Sequence, residues 1–219
     1  NLIDIKDRAE DERRGYFERV RNNIRSELQT LVRLGMLQLA QADTALSRLT
    51  LQARSEAAGT LRLSDLVFEA VPEVIAVKQQ TFAWVSEHVP ASTTIASTTS
   101  TFLVTELAEM VSEPQRFVNA HWLNPAYLMP LVEVSRSAAT CPQVVERLLQ
   151  LLKRIGKVPV VCNPVAGYIV PRIQALAMNE AARMVEEGVA SAEDIDTAVR
   201  VGFGLRFSVL GLLEFIDWG

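Results

Sequence analysis

His121 and Glu133 are the two residues whose types and spacing most directly suggest chemistry. His121 stands near the end of a strand-like run at residues 117–122, and Glu133 stands inside the next such run, residues 131–134. An imidazole can take a proton from a hydroxyl near neutral pH, and a carboxylate behind it fixes the tautomer and stabilises the imidazolium. The spacing therefore permits a general acid/base dyad, with a hydrogen-bonded core histidine as the alternative.

Other polar residues follow strand-like runs, where ligands of open α/β sheets bind, outside the carboxyl ends of the strands. They are Asp4, Glu69, residues 97–100 and Asn124. The second histidine, His88, precedes a Val-Pro pair at the end of a predicted helix, and we expect a structural or solvent-exposed role for it. No Gly-x-Ser-x-Gly elbow indicates a hydrolase, and no second histidine close to His121 indicates a metal site.

The position of these residues depends on strands that alternate with helices. The predicted strands are residues 1–5, 49–51, 66–70, 94–97, 117–122, 131–134 and 158–161. Apolar residues at helical spacing predict helices over residues 73–88 and 100–110, and one long helix or two stacked helices over residues 11–39. Strands that alternate with helices of about 10–15 residues indicate right-handed βαβ units around a parallel sheet.

The pattern changes near Asn163, after the last predicted strand. Residues 168–187 and 191–201 are helical by period, and no further strand follows. We therefore predict two domains, an α/β domain with a parallel sheet over residues 1–163 and an all-helical domain over residues 164–219.

Short signals define the ends of these last helices. Gly188 is predicted to end the first helix, and Ser191 with Asp194 has the spacing of a capping box that starts the second. No strand precedes the Gly-Phe-Gly segment at residues 202–204, so we interpret it as a turn between helices and not as a phosphate-binding loop.

Composition and charge restrict the partners of the chain. Its 219 residues, 49% hydrophobic and 22% charged, suffice for a sizeable buried core. A formal net charge of −4 without a basic run argues against a nucleic-acid partner, and no stretch of about 18 apolar residues predicts a membrane span. Cys141 and Cys162 lack a C-x-x-C spacing and are expected to be small buried residues in a reducing compartment, which predicts a cytoplasmic protein.

Four ordered motifs resemble those of the L-3-hydroxyacyl-CoA dehydrogenase family. They are Val-Phe-Glu-Ala-Val-Pro-Glu at 67–73, Ser-Thr-Thr-Ser at 97–100, Arg-Phe-Val-Asn-Ala-His-Trp-Leu-Asn-Pro at 116–125 and Met-Pro-Leu-Val-Glu-Val at 129–134. The resemblance implies a Rossmann-type domain followed by a helical domain for substrate binding and dimerisation. It also implies NAD-dependent interconversion of an L-3-hydroxyacyl-CoA and a 3-oxoacyl-CoA in fatty acid metabolism, by a homodimer.

The resemblance also implies roles for single residues around the reacting carbon. His121 matches the general acid/base of the family, and Glu133 matches the carboxylate that orients it. Ser100 matches the serine whose hydroxyl contacts the reacting oxygen and the nicotinamide side of the cofactor. Asn124 matches a substrate-side asparagine, although Trp122 and Leu123 replace the two usual phenylalanines before it.

Other matched residues border the cofactor. Glu73 and Lys78 match an acid and a base beside the dinucleotide, and Thr98 belongs to the same cofactor side. For Glu73 and Lys78, a simple solvated pair on a helix remains the alternative. Asp4 matches the acid that binds the adenine-side ribose hydroxyls, which favours NAD over NADP, although the nearby Lys6 and Arg8 weaken that preference.

Two departures from the family pattern bear on substrate and cofactor. Pro171 stands where the family has an asparagine that hydrogen-bonds the substrate, and proline is tolerated there in the first turn of a helix. No glycine-rich turn precedes Asp4, so we expect the first strand, that turn and the first helix to lie upstream of Asn1, with the tail also truncated. The chain alone is then expected to bind NAD poorly.

Pro171 and the lack of a basic cluster for CoA phosphates leave a second substrate class open. A non-CoA hydroxy acid or diketone, as in L-gulonate dehydrogenases, carnitine dehydrogenases and diketoreductases, is the alternative substrate. A non-catalytic structural protein of the crystallin kind is the alternative outside catalysis.

Overall fold

The computed structural model describes residues 1–218 and divides into two compact units, Asn1–Ala166 and Gly167–Gly219. The strands of the first unit are β1 (Leu2–Asp4), β2 (Leu51–Ala53), β3 (Leu66–Glu69), β4 (Thr94–Ser97), β5 (Phe117–Trp122), β6 (Leu131–Ser135) and β7 (Val158–Cys162). Each overlaps a predicted strand. Its helices are α1 (Glu10–Arg33), α2 (Leu39–Ser47), α3 (Ala58–Arg62), α4 (Ile75–His88), α5 (Val104–Ala108) and α6 (Pro142–Arg154).

The strands form two sheets, and the larger one is not wholly parallel. β1 pairs with β2 in parallel, and the five-stranded sheet has the order β3-β4-β5-β6-β7. Its pairs are parallel except β5 and β6, which run antiparallel, so the predicted parallel sheet is confirmed as a mainly parallel one that departs from the prediction at this pair. The physical reason is the connection: residues 123–130 contain no helix, and a parallel crossover needs about a dozen residues or more.

Two predicted helices have different ends in the structure. The predicted helix over residues 11–39 consists of α1 and α2, separated at Gly35, whose φ of 70° is the left-handed conformation that ends helices. The predicted helix over residues 100–110 shrinks to α5. Residues 101 and 102 form a turn instead, because the Thr99 hydroxyl accepts hydrogen bonds from the N–H groups of Thr101 and Phe102.

Both faces of the five-stranded sheet are covered. On one face Phe82 of α4 meets Phe117 of β5 edge to face, with ring centroids 5.3 Å apart. On the other face Leu148 and Leu152 of α6 pack against Val132 and its neighbours on β6. This double coverage is the arrangement of an α/β doubly wound domain. The two cysteines lie outside these cores and are only partly buried, contrary to expectation.

The second unit is helical throughout its described residues. Its elements are α7 (Val170–Glu186), α8 (Ala192–Ala198), a π-helical segment (Val199–Gly204), α9 (Leu205–Phe207) and α10 (Leu212–Trp218). Gly188 has a φ of 72° just after α7, and the Ser191 hydroxyl accepts the N–H of Asp194 at 3.1 Å, as predicted.

The Gly-Phe-Gly segment of this unit is not the predicted turn. Gly202 and Gly204 belong to the π-helical segment, which continues directly from α8 into α9. A glycine costs a helix only about 1 kcal/mol, so helical structure is tolerated here, and the Phe203 and Phe207 rings contact each other with centroids 4.5 Å apart. Across residues 1–218, no helix has both the length and the apolarity to span a membrane.

Candidate active site

His121 and Glu133 face each other across the antiparallel pair of strands. They are register partners on β5 and β6, and Nδ1 of His121 lies 2.9 Å from Oε2 of Glu133. His121 is 5% exposed and Glu133 is fully buried. An ionised carboxylate can only accept, so Nδ1 carries the proton and Nε2 becomes the basic atom of the ring. The antiparallel pairing that the sequence did not predict is what brings the two side chains together.

The Glu133 carboxylate also influences β7, the next strand. Burial, with a smaller contribution from the negative charge of Glu133, raises the pKa of the Cys162 thiol. The thiol of Cys162 is therefore protonated at neutral pH and contributes no nucleophile to this region.

Glu73 fixes the turn that follows β4. Its Oε1 accepts hydrogen bonds from the Ser100 N–H at 2.7 Å and from the Thr99 hydroxyl at 2.8 Å. Partial burial opposes ionisation of Glu73, but these hydrogen bonds and the ammonium of Lys78 prevail and lower the pKa of Glu73 below its ordinary value. Ser100 itself is exposed, so its hydroxyl lies at the surface of the turn that the Glu73 carboxylate holds in place.

Lys78 is buried and bonded to two carboxylates. Its ammonium lies 3.0 Å from Oε1 of Glu69 and 3.3 Å from Oε2 of Glu73, and the Lys78 side chain is 1% exposed. Ser97 donates its hydroxyl to Oε2 of Glu69 at 2.5 Å. The solvated helix pair that the sequence allowed for Glu73 and Lys78 does not exist, since burial forces the ammonium to pair with the carboxylates around it.

Sequence reasoning missed two members of this cluster. Glu69 was noticed only as a polar residue at a strand end, and its pairing with Lys78 was not anticipated. Thr99 was passed over for Thr98, whose side chain is half-buried and whose N–H donates to the Glu69 carbonyl at 2.8 Å. The alternation of the preceding strand could have indicated Thr99. Side chains two residues apart in a strand lie on the same face, so Thr99 lies on the face of Ser97.

Asp4 lies at the carboxyl end of β1 and is already engaged. Its Oδ2 accepts a hydrogen bond from Nε of Arg8 at 2.7 Å, and its Oδ1 accepts the Lys6 N–H at 3.2 Å. Arg8 is held further by Glu12 at 2.8 Å and by the ring of Tyr16, whose centroid is 4.1 Å from the guanidinium carbon.

Asn124 is the second residue of the connection from β5 to β6. It is exposed, and its bond to Pro125 is cis. The structure thus assembles the His121 and Glu133 pair and the Glu73, Lys78 and Thr99 cluster by direct contacts. Asp4, in the separate pair of strands β1 and β2, instead contacts Arg8 and the Lys6 N–H.

The residues fit a dinucleotide in part. Nucleotides bind at the carboxyl ends of parallel strands in such sheets. Asp4 ends β1 and Glu69 ends β3, while Thr98 and Ser100 follow the end of β4. A glycine-rich turn for a pyrophosphate does not occur within residues 1–218. In the same described part of the chain, His, Cys, Asp and Glu side chains form no group that could hold a metal ion.

Two sequence models of known families match the chain. Residues 3–165 match the model described as the 3-hydroxyacyl-CoA dehydrogenase NAD binding domain, and residues 167–218 match its C-terminal domain. Together the two matches cover nearly the whole chain.

Curated relatives and solved structures agree with these matches. A 5-formyl-3-hydroxy-2-methylpyridine 4-carboxylate 5-dehydrogenase from Mesorhizobium japonicum is 34% identical over 82% of the chain and 62% of its own length. A 3-hydroxyadipyl-CoA dehydrogenase from Escherichia coli is 36% identical over 89% of the chain and 40% of its own length. The crystal structure of a 3-hydroxybutyryl-CoA dehydrogenase from Escherichia coli superposes with a TM-score of 0.78 at 35% identity, covering 91% of this chain and 40% of that one. The chain therefore spans less than two thirds of the length of these relatives.

Proposed function

Since this chain belongs to the 3-hydroxyacyl-CoA dehydrogenase family, we propose that the protein is an NAD-dependent oxidoreductase that interconverts an L-3-hydroxyacyl-CoA and a 3-oxoacyl-CoA. The observation that carries this proposal is the 2.9 Å hydrogen bond between the buried side chains of His121 and Glu133. A buried imidazole backed by a carboxylate is the group that proton transfer at a secondary hydroxyl requires.

The residues of the chain divide the proton chemistry between them. In the oxidative direction Nε2 of His121 takes the hydroxyl proton, and the Nδ1–H bond to Glu133 stabilises the imidazolium. In the reductive direction the same nitrogen returns the proton to the carbonyl oxygen. When bound, NAD would supply the hydride acceptor in oxidation, and its reduced form NADH the hydride donor in reduction. The Ser100 hydroxyl is proposed to contact the reacting oxygen.

The cofactor side of the proposed site draws on residues at the ends of strands in both sheets. Asp4 would accept hydrogen bonds from the hydroxyls of the adenine-side ribose, and Thr98 and Ser100 would border the nicotinamide end. Glu73 holds the turn that contains Ser100. Lys78 is proposed to act through Glu73, because its ammonium is buried against carboxylates and does not reach the surface.

A non-CoA hydroxy acid or diketone is the second candidate substrate. Pro171 lies in the first turn of α7 and has no side-chain donor at the position where the family has an asparagine. The relative from Mesorhizobium japonicum carries the name of a pyridine carboxylate dehydrogenase, and a further relative is named L-carnitine dehydrogenase, so the wider similarity includes both substrate classes. The buried His121 and Glu133 pair favours either enzyme over a structural protein.

The helical unit is proposed to form a homodimer interface. Apolar side chains of this unit are exposed to solvent, among them Leu176 at 68%, Val209 at 83% and Leu213 at 77%. Exposed apolar surface of this kind marks association sites. Light scattering of the full-length protein tests this, and a monomer would contradict it. We also propose a cytoplasmic location, a small-molecule substrate, and cofactor and substrate roles for the first and second domains.

The substrate proposal is tested by NADH consumption by the full-length protein. Acetoacetyl-CoA is offered in one reaction and a free dicarbonyl acid in another, at equal concentration. Turnover of the thioester is the expected result, with Asn124 or Ser100 filling the role that Pro171 cannot. Turnover of the free acid alone would contradict the thioester assignment and favour the second candidate.

A further inference from the structure

The connection between β5 and β6, residues 123–130, follows His121 and Trp122 directly and is called here the β5–β6 loop. It contains Asn124, and its own hydrogen bonds are few. The N–H groups of Leu128 and Met129 both bond to the Pro125 carbonyl, at 2.9 and 3.0 Å. These two bonds form one tight turn within the loop and do not tie it to the sheet.

The ammonium of Lys157 ties the middle of the loop to the rest of the domain. Lys157 Nζ donates to the carbonyl of Ala126 at 2.5 Å and to the carbonyl of Met129 at 2.9 Å. The same nitrogen lies 5.6 Å from the centroid of the Trp122 ring. Hydrogen bonds from a charged donor are about twice as strong as neutral ones, and an ammonium within about 6 Å of an indole face adds a cation–π attraction.

The backbone around Lys157 is fixed on both sides. Gly156 has a φ of 79° and ends α6, and the Lys157 N–H donates to the Leu152 carbonyl at 2.9 Å. The next residue, Val158, donates to the Pro130 carbonyl at 2.8 Å and starts β7 beside β6. The Lys157 side chain therefore leaves from a rigid helix end, so its contacts hold the loop in one position.

The Lys157 ammonium is not paired with a carboxylate. Within residues 1–218, no carboxylate lies within salt-bridge distance of its ammonium, and its polar partners are the two loop carbonyls. A lysine that only covered the surface would keep its ammonium in water. Here the side chain is half-buried, and its ammonium donates hydrogen bonds to backbone carbonyls of one loop.

We propose that Lys157 is the positioning residue of the β5–β6 loop: its contacts with the loop carbonyls and with the Trp122 ring hold the segment that carries Asn124 in place for the substrate. The inference rests on the proposed function, in which Asn124 is a substrate-side residue. Loss of the ammonium frees the loop and weakens substrate binding. The cofactor side is unaffected, because its residues follow β1, β3 and β4 and make no contact with this ammonium.

Lys157→Met tests this directly, because it keeps the apolar stem and removes the donors. Lys157→Arg restores a charged donor, and Lys153→Met makes the same change of charge at an exposed position of α6. For each full-length variant we would measure KM for acetoacetyl-CoA, kcat, the Kd for NADH and the hydrogen exchange of the Leu128 and Met129 amides.

Lys157→Met is expected to raise KM about tenfold, which corresponds to the loss of about one charge-assisted hydrogen bond, with the Kd for NADH unchanged. Exchange at Leu128 and Met129 becomes faster, while amides of β5 keep their protection. Lys157→Arg recovers most of the KM, and Lys153→Met behaves as the unmodified protein.

Two results would overturn the inference. One is a Lys157→Met variant with unchanged KM and unchanged loop exchange. The other is a parallel loss of NADH affinity and of protection throughout the sheet, since this reports a general structural role. Faster exchange confined to the loop supports the inference even when the unmodified protein fails to reduce acetoacetyl-CoA, a failure that contradicts the proposed function alone.

Discussion

The Glu73 carboxylate accepts a hydrogen bond from the backbone N–H of Ser100 at 2.7 Å, so an acid before α4 holds the turn after β4. The Thr99 hydroxyl donates to the same carboxylate. A residue that the family resemblance assigns to the cofactor edge thus also sets the position of the serine proposed to contact the reacting oxygen. In the proposed site, Glu73 would therefore couple the position of the substrate to that of the cofactor.

Glu73→Gln is expected to lower stability at neutral pH but not in acid. The folded protein lowers the pKa of Glu73, so its ionised form stabilises the native state above the pKa of the unfolded chain. That stabilisation is lost as the pH falls through the lower, folded-state pKa. Urea unfolding of both proteins should show a difference at pH 7 that disappears in strong acid. A difference that persists at low pH would contradict this origin.

Lys78→Met is expected to destabilise the first unit strongly. It leaves the buried carboxylate of Glu69 without its cation, a loss that costs about 3–5 kcal/mol for a buried pair. Adding Glu69→Gln to Lys78→Met removes the stranded charge and should recover part of the loss. Urea unfolding measures both. A loss below about 1 kcal/mol, the size typical of exposed pairs, would show that the cluster is solvated after all.

Asp4→Asn is expected to shift cofactor preference toward NADP. The substitution removes the carboxylate that repels a 2′-phosphate and leaves Arg8 with less negative charge around it. We expect the ratio of NADP to NAD affinity to rise about tenfold, equivalent to about 1.4 kcal/mol. Fluorescence titration with both reduced cofactors measures it, with Asp7→Asn, an exposed neighbour, as control. An unchanged ratio would show that Asp4 does not contact the ribose.

Glu133→Gln is expected to change the pH dependence of oxidation as well as its rate. The amide cannot stabilise the imidazolium of His121 as a carboxylate does, so the rising limb of the rate profile should move to lower pH. The profile of kcat against pH for the two proteins decides this. A lower rate with an identical profile would assign Glu133 to packing alone.

The sequence predicted the parts of this site that depend on local pattern. Alternation and β-branched residues predict the strands that carry His121 and Glu133. The spacing of these two residues suggested a dyad. That the two side chains face each other depends on the antiparallel pairing of β5 and β6, which arises from the short loop between them. Periodicity carries no information on strand direction, so this relationship needed the structure.

Contacts between distant segments were the least predictable. Lys78 and Glu69 are nine residues apart with a turn between them, and nothing in their spacing predicts that both are buried. Lys157 meets the β5–β6 loop across 28 to 31 residues of sequence. The predicted start of the helix at residue 100 was wrong for a similar reason. The Thr99 hydroxyl binds a backbone N–H group just before α5, and the sequence pattern does not show that hydrogen bond.

The proposed role of His121 is tested most directly by the turnover of His121→Ala in the full-length protein, with His88→Ala as control. His88 bonds to the Trp84 carbonyl within its own helix and is expected to be dispensable. General acid/base help is worth about 10² to 10⁴ in rate, so kcat of His121→Ala should fall by that factor with the Kd for NADH unchanged. A His121→Ala variant that keeps full turnover would contradict the dyad.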